Sequence, residues 1–197
     1  CQSFLKRLGQ GVGIATCRSQ CMSAVLERIA GAQSPVRSRE RVLARAGELE
    51  VVVATDPATL EAAFRLRHEV FVGELGARLN SVQGIDRDLF DAWCTHLVLR
   101  DVARDEVVGT YRVLLPEQAR RLGRLYAEQE FWLTRLLPIR DELVELGRSC
   151  IARPWRGGAA LMLLWSGIGE LLSGTGLRYV MGCVSVSMAD GGLQAAR

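Results

Sequence analysis

The sequence predicts an α/β (α+β) fold in which helices flank a mixed sheet. Three observations support this: a β-branched run followed by a helical pattern, two strand-like runs around a short polar turn, and a strand–helix–strand succession near the end of the chain. The two runs around the turn predict an antiparallel hairpin. The strand–helix–strand unit predicts a parallel pair. The sheet is therefore expected to be antiparallel in front and parallel at the back.

The first strand is expected at residues 49–55, LEVVVAT, which are rich in valine. Asp56 and Pro57 then form a helix start, because Asp caps free amides and Pro is tolerated at the first helical position. Apolar residues recur at helical spacing from Leu60 to about Phe71. Residues 84–94, GIDRDLFDAWC, read as a loop loaded with carboxylates.

The hairpin is expected at residues 95–101 and 106–116, with its turn at 103–105. A less regular segment containing several arginines runs from there to Pro138, and we expect part of it to be helical. A strand at 141–150, a helix at 159–173 and a strand at 178–186 complete the chain.

Charge and composition suggest one folded domain after a basic leader. The chain has 197 residues and 49% hydrophobic content, enough for one core. Residues 1–47 carry eight Lys and Arg and two Asp and Glu, hence +6, so a total of +3 leaves −3 for residues 48–197. We expect a partly disordered leader at 1–47 and the domain at 48–197. The positive charge of the leader favours binding to an anionic membrane surface or to an acidic protein. A leader that is only solvated explains the composition equally well.

Several classes of function find little support in the sequence. No apolar run is long enough to span a bilayer, and basic residues are not interleaved with aromatic ones as nucleic-acid binding requires. Among the six cysteines only Cys17 and Cys21 are close, without a second pair or a nearby histidine, so no metal site is expected. The later cysteines lie in apolar runs, which suits a reducing compartment and favours the cytoplasm.

The turn before the last helix has the composition of an anion site. Arg153, Arg156, Gly157 and Gly158 stand where a helix N-terminus offers free amides and a positive dipole end. The pattern predicts a phosphate-binding turn. A pair of glycines that serves backbone geometry alone remains the alternative.

Six blocks in order carry a family resemblance: LRHEVFVGELGAR, DRDLFDAWCTHLVLRD, VVGTYRVL, EQEF, ELGRSCIARPWR and LLWSGIGELL. Together they resemble the ornithine-acyl-[acyl carrier protein] N-acyltransferases, the hemolysin-like branch of the GNAT acyltransferases, from about Gly47 to about Ser185. The resemblance implies a GNAT-like fold. It also implies transfer of a 3-hydroxyacyl chain from acyl carrier protein to the α-amino group of L-ornithine, the first step of ornithine lipid biosynthesis.

The resemblance further implies a donor and partners. The donor is the acyl-phosphopantetheine of acyl carrier protein, with no bound cofactor. The cysteines and the basic leader, taken with it, predict a cytoplasmic location with peripheral contact at the inner membrane as an option. Arg156 stands where the usual phosphate turn of the family has its first glycine. A carrier protein presents a single phosphodiester surrounded by an acidic surface. Arginines at this turn, together with Arg120, Arg121 and Arg124, are therefore expected to bind that surface when the carrier protein docks. Ordinary solvated arginines are the alternative for the latter three.

Roles for individual residues follow from the resemblance. The catalytic residues are expected to be Glu145, the first choice for accepting the amine proton, with Glu130 and Arg148. The substrate-binding residues are expected to be Arg67, Phe71, Asp86, Asp88, Asp91 and Arg112. One of the arginines would bind the acceptor carboxylate, and the aspartates would bind its distal ammonium. Turn capping by the aspartates and a structural Glu145–Arg148 ion pair remain open.

Two other functions are compatible with the sequence. The same residues are similar to those of acyl-homoserine-lactone synthases, which use S-adenosylmethionine as acceptor. GNAT domains end with two more strands after the one at 178–186, and eleven residues remain here. The resemblance thus implies a domain that lacks its last strands, and an inactive truncated chain is the second alternative.

Overall fold

The computed structural model describes residues 40–79 and 83–185. Its centre is a six-stranded sheet in the order β1 to β6. Neighbouring strands are antiparallel as far as β5, and β5 and β6 are parallel. The strands are β1 Val42–Ala46, β2 Leu49–Ala54, β3 Thr95–Asp101, β4 Glu106–Leu114, β5 Leu143–Ile151 and β6 Tyr179–Gly182. This arrangement confirms the predicted mixed sheet, antiparallel in front and parallel at the back.

In the part of the chain that the structure describes, three α-helices pack against the sheet. They are α1 Pro57–His68, α2 Pro116–Leu122 and α3 Gly158–Leu172. As the sequence predicts, the Asp56 side chain caps α1 by accepting a hydrogen bond from the amide of Thr59 at 3.0 Å. A π-helical segment, Glu69–Glu74, continues α1 past the predicted end. Helix α2 ends at Gly123, whose φ of 84° is easily adopted only by glycine.

Four of the connecting segments in the described ranges are 3₁₀ turns. They lie at Leu89–Ala92, Tyr126–Gln129, Thr134–Glu142 and Arg153–Trp155. The segment up to Pro138 that was expected to be part helical is therefore α2 followed by two such turns.

The core has two layers because strand side chains alternate between the faces of the sheet. Val51, Leu97 and Leu99 are fully buried on the face against α3. Val52 and Val98 are fully buried on the opposite face, against Ala63 of α1. The face that α1 covers is also the face that carries the polar site.

Two boundaries differ from the sequence-based expectation. Strand β1 lies inside the segment 1–47, so the sheet begins before residue 48, while residues 1–39 of that leader lie outside the described residues. Strand β1 has five residues, of which none is buried and whose exposure does not alternate, so its hydrophobic pattern is weak and it is hard to find in the sequence. Strand β6 ends at Gly182, before the predicted residue 186. Among the helices of the described ranges, none has the length and apolar composition needed to cross a bilayer.

Candidate active site

Strands β5 and β6 form a fork on the sheet. They pair only from Leu143 to Leu146 on the β5 side, although β5 continues to Ile151. Gly182 is the last paired residue of β6, and its backbone lies close to β5: a Cβ there would be 3.0 Å from the carbonyl oxygen of Leu146. Beyond Leu146, in the described part of the chain, the edge of β5 that faces β6 has no strand partner. A gap between parallel strands with free main-chain groups can receive an extended ligand.

The backbone of β5 is strained where the fork opens. The pairing of β4 with β5 shifts register between Thr110 and Arg112. Arg148, just past the last residue paired with β6, has a φ of 48°, a conformation that residues other than glycine rarely adopt. Strain of this kind persists only where its surroundings enforce it, and it is concentrated at functional sites.

Glu145 lies in the last paired stretch of β5, beside the fork. Its carboxylate accepts hydrogen bonds from the main-chain amides of Tyr126 at 2.6 Å and Ala127 at 2.7 Å. The residue is 4% exposed. Burial raises the pKa of Glu145 above 4.5, against the lowering effect of the two amides and of the Arg112 charge. A buried carboxylate with a raised pKa is suited to accept a proton.

Six residues form a closed ring of ion pairs on the α1 face of the sheet. In order around the ring they are Arg67, Asp86, Arg148, Asp88, Arg112 and Asp91. The structure thus brings together all the charged substrate-binding residues that the sequence predicts. Three arginines alternate with three aspartates, so the ring is neutral.

The pairs of the ring have hydrogen-bonding geometry. Arg67 donates to Asp86 at 3.0 Å and to both oxygens of Asp91 at 2.8 and 3.2 Å. Arg148 donates to Asp86 at 3.0 Å and to Asp88 at 3.3 Å. Arg112 closes the ring with bonds to Asp88 at 2.7 Å and Asp91 at 3.2 Å. Such charge-assisted bonds are the stronger class in proteins.

The ring also organises the loop that supplies its aspartates. Asp88 caps the turn Leu89–Ala92 and accepts from the Phe90 amide at 2.8 Å, while Asp91 accepts from the Asp88 amide at 2.7 Å. Burial by itself raises the pKa of Asp91, but the hydrogen bonds and charge of Arg67, with the charge of Arg112, hold that pKa below 3.8. Asp88 and Asp91 therefore cap the turn and form ion pairs at the same time.

Only one edge of the ring is open to solvent. The side chains of Arg67, Asp86, Asp91 and Arg112 are at most 4% exposed, whereas those of Asp88 and Arg148 are 25% and 16% exposed. A substrate approaching from solvent would thus meet Arg148 and Asp88. Arg67 and Arg112 lie behind them.

Tyr126 is a site residue that the sequence analysis did not single out. Its hydroxyl accepts from Arg148 at 3.3 Å, and its ring lies 5.2 Å from the guanidinium of Arg112. Its ring also packs edge-on against Phe90, and its amide binds Glu145. The only signal in the sequence is its place just before the EQEF block, since a lone tyrosine has no periodic pattern.

Phe71 and His96 lie at the border of the site. The ring of Phe71, a predicted substrate-binding residue, is 6.0 Å from the guanidinium of Arg148. His96 is buried, and its Nε2 lies 3.0 Å from the main-chain oxygen of Asp91. Burial lowers the pKa of His96, so it is neutral at physiological pH.

The predicted phosphate turn is exposed at the start of α3. Gly157 and Gly158 have open space where a Cβ would stand, and no side chain caps the helix. Arg153 is exposed. Arg156 is engaged in the protein itself: it donates to Glu74 twice at 2.8 Å and to the main-chain oxygen of Ile151 at 2.8 Å. Glu74 was not anticipated from the sequence.

Glu130, the second predicted catalytic carboxylate, lies apart from the ring. It lines a groove of about 480 Å³ with Glu128, Phe131, Trp132, Leu133 and Leu137. Within residues 40–79 and 83–185 no hydrogen bond or ion pair engages its side chain. Trp132 is 98% exposed and so is not part of the core.

Two of the arginines suggested for carrier docking are paired on the surface. Arg120 donates to Asp141 at 2.8 Å and Arg121 donates to Glu117 at 2.6 Å. The third, Arg124, lies over the ring of Phe90 at 5.5 Å. Exposed pairs of this kind are weak and can exchange partners.

Comparisons with known proteins agree with this architecture. Residues 66–166 match the model of the acetyltransferase (GNAT) domain. An L-ornithine N(alpha)-acyltransferase from Brucella abortus (strain 2308) is 36% identical over 154 residues, covering 73% of this chain and 55% of that protein. One from Rhodobacter capsulatus is 35% identical over 149 residues, covering 72% of this chain and 58% of that protein. The chain thus spans a little over half the length of these curated relatives.

Solved structures share the fold. A CoA-dependent acyl-homoserine lactone synthase, BjaI, with SAM and isopentyl-CoA, has a TM-score of 0.52 at 23% identity, over 71% of this chain and 65% of that one. The AHL synthase LasI has a TM-score of 0.54 at 14% identity, over 76% and 79%. At these identities the similarity concerns the fold.

Proposed function

The chain belongs to the acetyltransferase (GNAT) domain family, and from that premise we propose that it transfers an acyl chain from a thioester to the α-amino group of L-ornithine. The names of the curated relatives support the acceptor and the reaction. The observation that carries the proposal is the position of Glu145, a buried carboxylate beside the open fork between β5 and β6.

The reaction requires a general base and groups that stabilise the oxyanion of the tetrahedral intermediate. The amine nitrogen attacks the thioester carbon, a C–N bond forms and the C–S bond breaks. One amine proton goes to Glu145, directly or through water, and the departing thiolate takes up a proton to give the free thiol. The raised pKa of Glu145 supports this role, since a base must hold the proton it accepts.

Main-chain amides of β5 are suited to stabilise the oxyanion. The thioester arm would lie along β5 beyond Leu146, where strand pairing with β6 stops. The N–H groups on that edge would face the developing negative charge. Fixed dipoles in a partly closed gap stabilise such a charge more than water does, because they need not reorient.

The acceptor carboxylate is best matched by Arg148. It is the arginine of the ring with an exposed part, and its strained backbone fixes its position at the fork. Arg67 and Arg112 are buried, and they act through the ring by holding Asp86, Asp88 and Asp91 around Arg148. Phe71 packs near the same guanidinium and would line the acceptor site.

The donor is proposed to be a 3-hydroxyacyl chain on acyl carrier protein. Its single phosphate would meet the exposed amides of Gly157 and Gly158 and the guanidinium of Arg153. Arg156 would join them by exchanging Glu74 for the phosphate or for an acidic carrier residue. The basic segment 1–47, with its charge of +6, suits contact with an anionic membrane surface, where the amphiphilic product would accumulate.

An assay with defined substrates tests this function. Purified protein is incubated with 3-hydroxyacyl carrier protein, or with the same chain on coenzyme A, and with a panel of amino acids. The proposal predicts N-acylornithine by mass spectrometry, with the carrier protein as the better donor. Turnover with S-adenosylmethionine and not with any amino acid would instead assign the chain to lactone synthesis. The absence of all acyl transfer would contradict both.

A further inference from the structure

The distal ammonium of a diamino acid needs an anion that is not already neutralised. The aspartates expected for this task are all bound to arginines of the ring. We propose that the groove around Glu130 binds the side-chain ammonium of the acceptor and so selects a diamino acid over its uncharged analogues. This inference rests on the proposed function and moves Glu130 from proton transfer to substrate recognition.

The charge balance of the groove singles out Glu130. Two carboxylates line the groove, but Glu128 is bound by Arg140 at 2.5 and 3.1 Å and also accepts from the Leu125 amide. Glu130 is exposed, and within the described ranges its carboxylate is engaged by no donor. One net negative charge therefore faces the groove, which matches one ammonium.

The walls of the groove also suit an ammonium on an alkyl stem. Phe131 and Trp132 line it and are 57% and 98% exposed. Exposed aromatic faces attract a cation through their quadrupoles, and they cover methylene groups. Leu133 and Leu137 supply further apolar contact for the stem. An uncharged or acidic side chain would gain the apolar contact without the charge interaction.

The groove and Glu145 are connected through one 3₁₀ turn. The Glu145 carboxylate binds the first amides of the turn Tyr126–Gln129, and the amide of Glu130 closes the end of that turn by donating to Ala127 at 3.1 Å. Three residues of 3₁₀ turn rise by about 6 Å, a distance that the extended three-carbon side chain of ornithine matches. On this inference, an α-amino group at Glu145 would have its terminal ammonium within reach of Glu130.

Cys183 lies near both carboxylates. This residue directly follows β6. Burial raises the pKa of its thiol, and the charges of Glu145 and Glu130 raise it further. Both carboxylates therefore lie within electrostatic range of the same end of β6, where the acceptor would enter.

The test compares ornithine with 2-aminopentanoate, which has the same carbon skeleton without the terminal amine. Acylation of both is measured for the wild type, for Glu130→Gln and for the control Glu117→Gln. Glu117 is an exposed carboxylate of α2 that is paired with Arg121 and lies outside the groove. We expect Glu130→Gln to lower kcat/KM for ornithine about 10- to 100-fold, mainly through KM. Rates with 2-aminopentanoate should not change, and the control should resemble the wild type.

Other outcomes separate this inference from the proposed function. Equal losses for both acceptors in Glu130→Gln would show a catalytic or structural role and overturn the inference. An unchanged preference for ornithine would overturn it as well. If the wild type acylates neither compound, the proposed function fails, and calorimetric binding of ornithine then decides the inference. Binding that depends on Glu130 and on the terminal amine supports it, and binding indifferent to Glu130 contradicts it.

Discussion

At the residue scale, Glu145 is subject to two effects that act on its pKa in opposite directions. Both carboxylate oxygens accept main-chain amides, which fixes the side chain, and burial still raises its pKa. A purely structural cap would gain from a lowered pKa, because the amides favour the charged form. The raised pKa at the mouth of the fork is therefore the property that points to proton transfer.

Replacing Glu145 by Gln tests this role. The uncharged amide cannot accept the amine proton, so we expect kcat to fall by about 10²- to 10⁴-fold. In the wild type the rate should rise with pH as Glu145 loses its proton, at a pKa above 4.5. The variant should lack this inflection. A pH–rate profile that keeps the inflection, in a variant that is folded by circular dichroism, would remove Glu145 from the role of base.

At the element scale, one close contact limits how α3 packs on the sheet, beside the buried residues Leu163, Leu164 and Ile168. A Cβ at Gly167 would lie 2.5 Å from Cγ1 of Val51 on β2. This glycine lets the helix whose N-terminus is proposed to hold the donor phosphate approach the strand closely. The position of that N-terminus is thus coupled to a contact in the core.

Alanine substitutions at two glycines of α3 test this coupling. Gly167→Ala should destabilise the protein by about 1–3 kcal/mol through overpacking. Gly169→Ala is the matched control, since a Cβ there meets no atom within 4 Å. It should stabilise the helix by about 0.5–1 kcal/mol. Urea unfolding measures both. A neutral Gly167→Ala, or a large loss in Gly169→Ala, would contradict the packing described here.

The elements themselves were largely predictable from local signals. The Asp56–Pro57 cap, the hairpin around 103–105 and the parallel unit at the back each rest on patterns of neighbouring residues. Strand β1 carries a weak pattern and was missed. Tyr126 and Glu74 were missed for a different reason: their importance lies in contacts with residues far along the chain, which no local pattern records.

At the scale of the whole molecule, the ring of ion pairs joins four parts of the chain. Arg67 belongs to α1, the aspartates to the loop before β3, Arg112 to β4 and Arg148 to β5. The sequence indicated these residues as a set through family resemblance, with roles in substrate binding. It could not indicate that they neutralise one another, because ion pairing depends on distances between remote residues. The ring therefore links the elements of the fold to one another through the residues of the candidate site.

Asp91→Asn tests the contribution of the ring to stability. Removing one partner of a buried ion pair leaves charge uncompensated, so we expect a loss of about 3–5 kcal/mol at neutral pH. Asp141→Asn is the control, because its pair with Arg120 is exposed and should contribute less than about 1 kcal/mol. Equilibrium unfolding of both variants provides the comparison. Equal and small losses would argue that the ring is not a stabilising unit.

The carboxylate of Asp91 also makes the stability of the folded protein depend on pH in the acidic range. Because the folded-state pKa of Asp91 is lowered, its stabilisation is complete above its unfolded pKa near 3.8 and is lost as pH falls through the folded value. Wild-type stability should therefore decline in that acidic range. Asp91→Asn should start lower and decline less steeply, since it lacks this titration. A parallel decline in both proteins would contradict the assignment.

The central claim is that a thioester-bearing arm lies along β5 at the fork with β6. A crystal structure of the protein with a stable thioether analogue of 3-hydroxyacyl-pantetheine phosphate tests it most directly. We predict that the arm runs beside the unpaired edge of β5, with its carbonyl oxygen hydrogen-bonded to a β5 amide and its phosphate at Gly157 and Gly158. An analogue bound elsewhere, with the fork filled by side chains of the protein, would contradict the account.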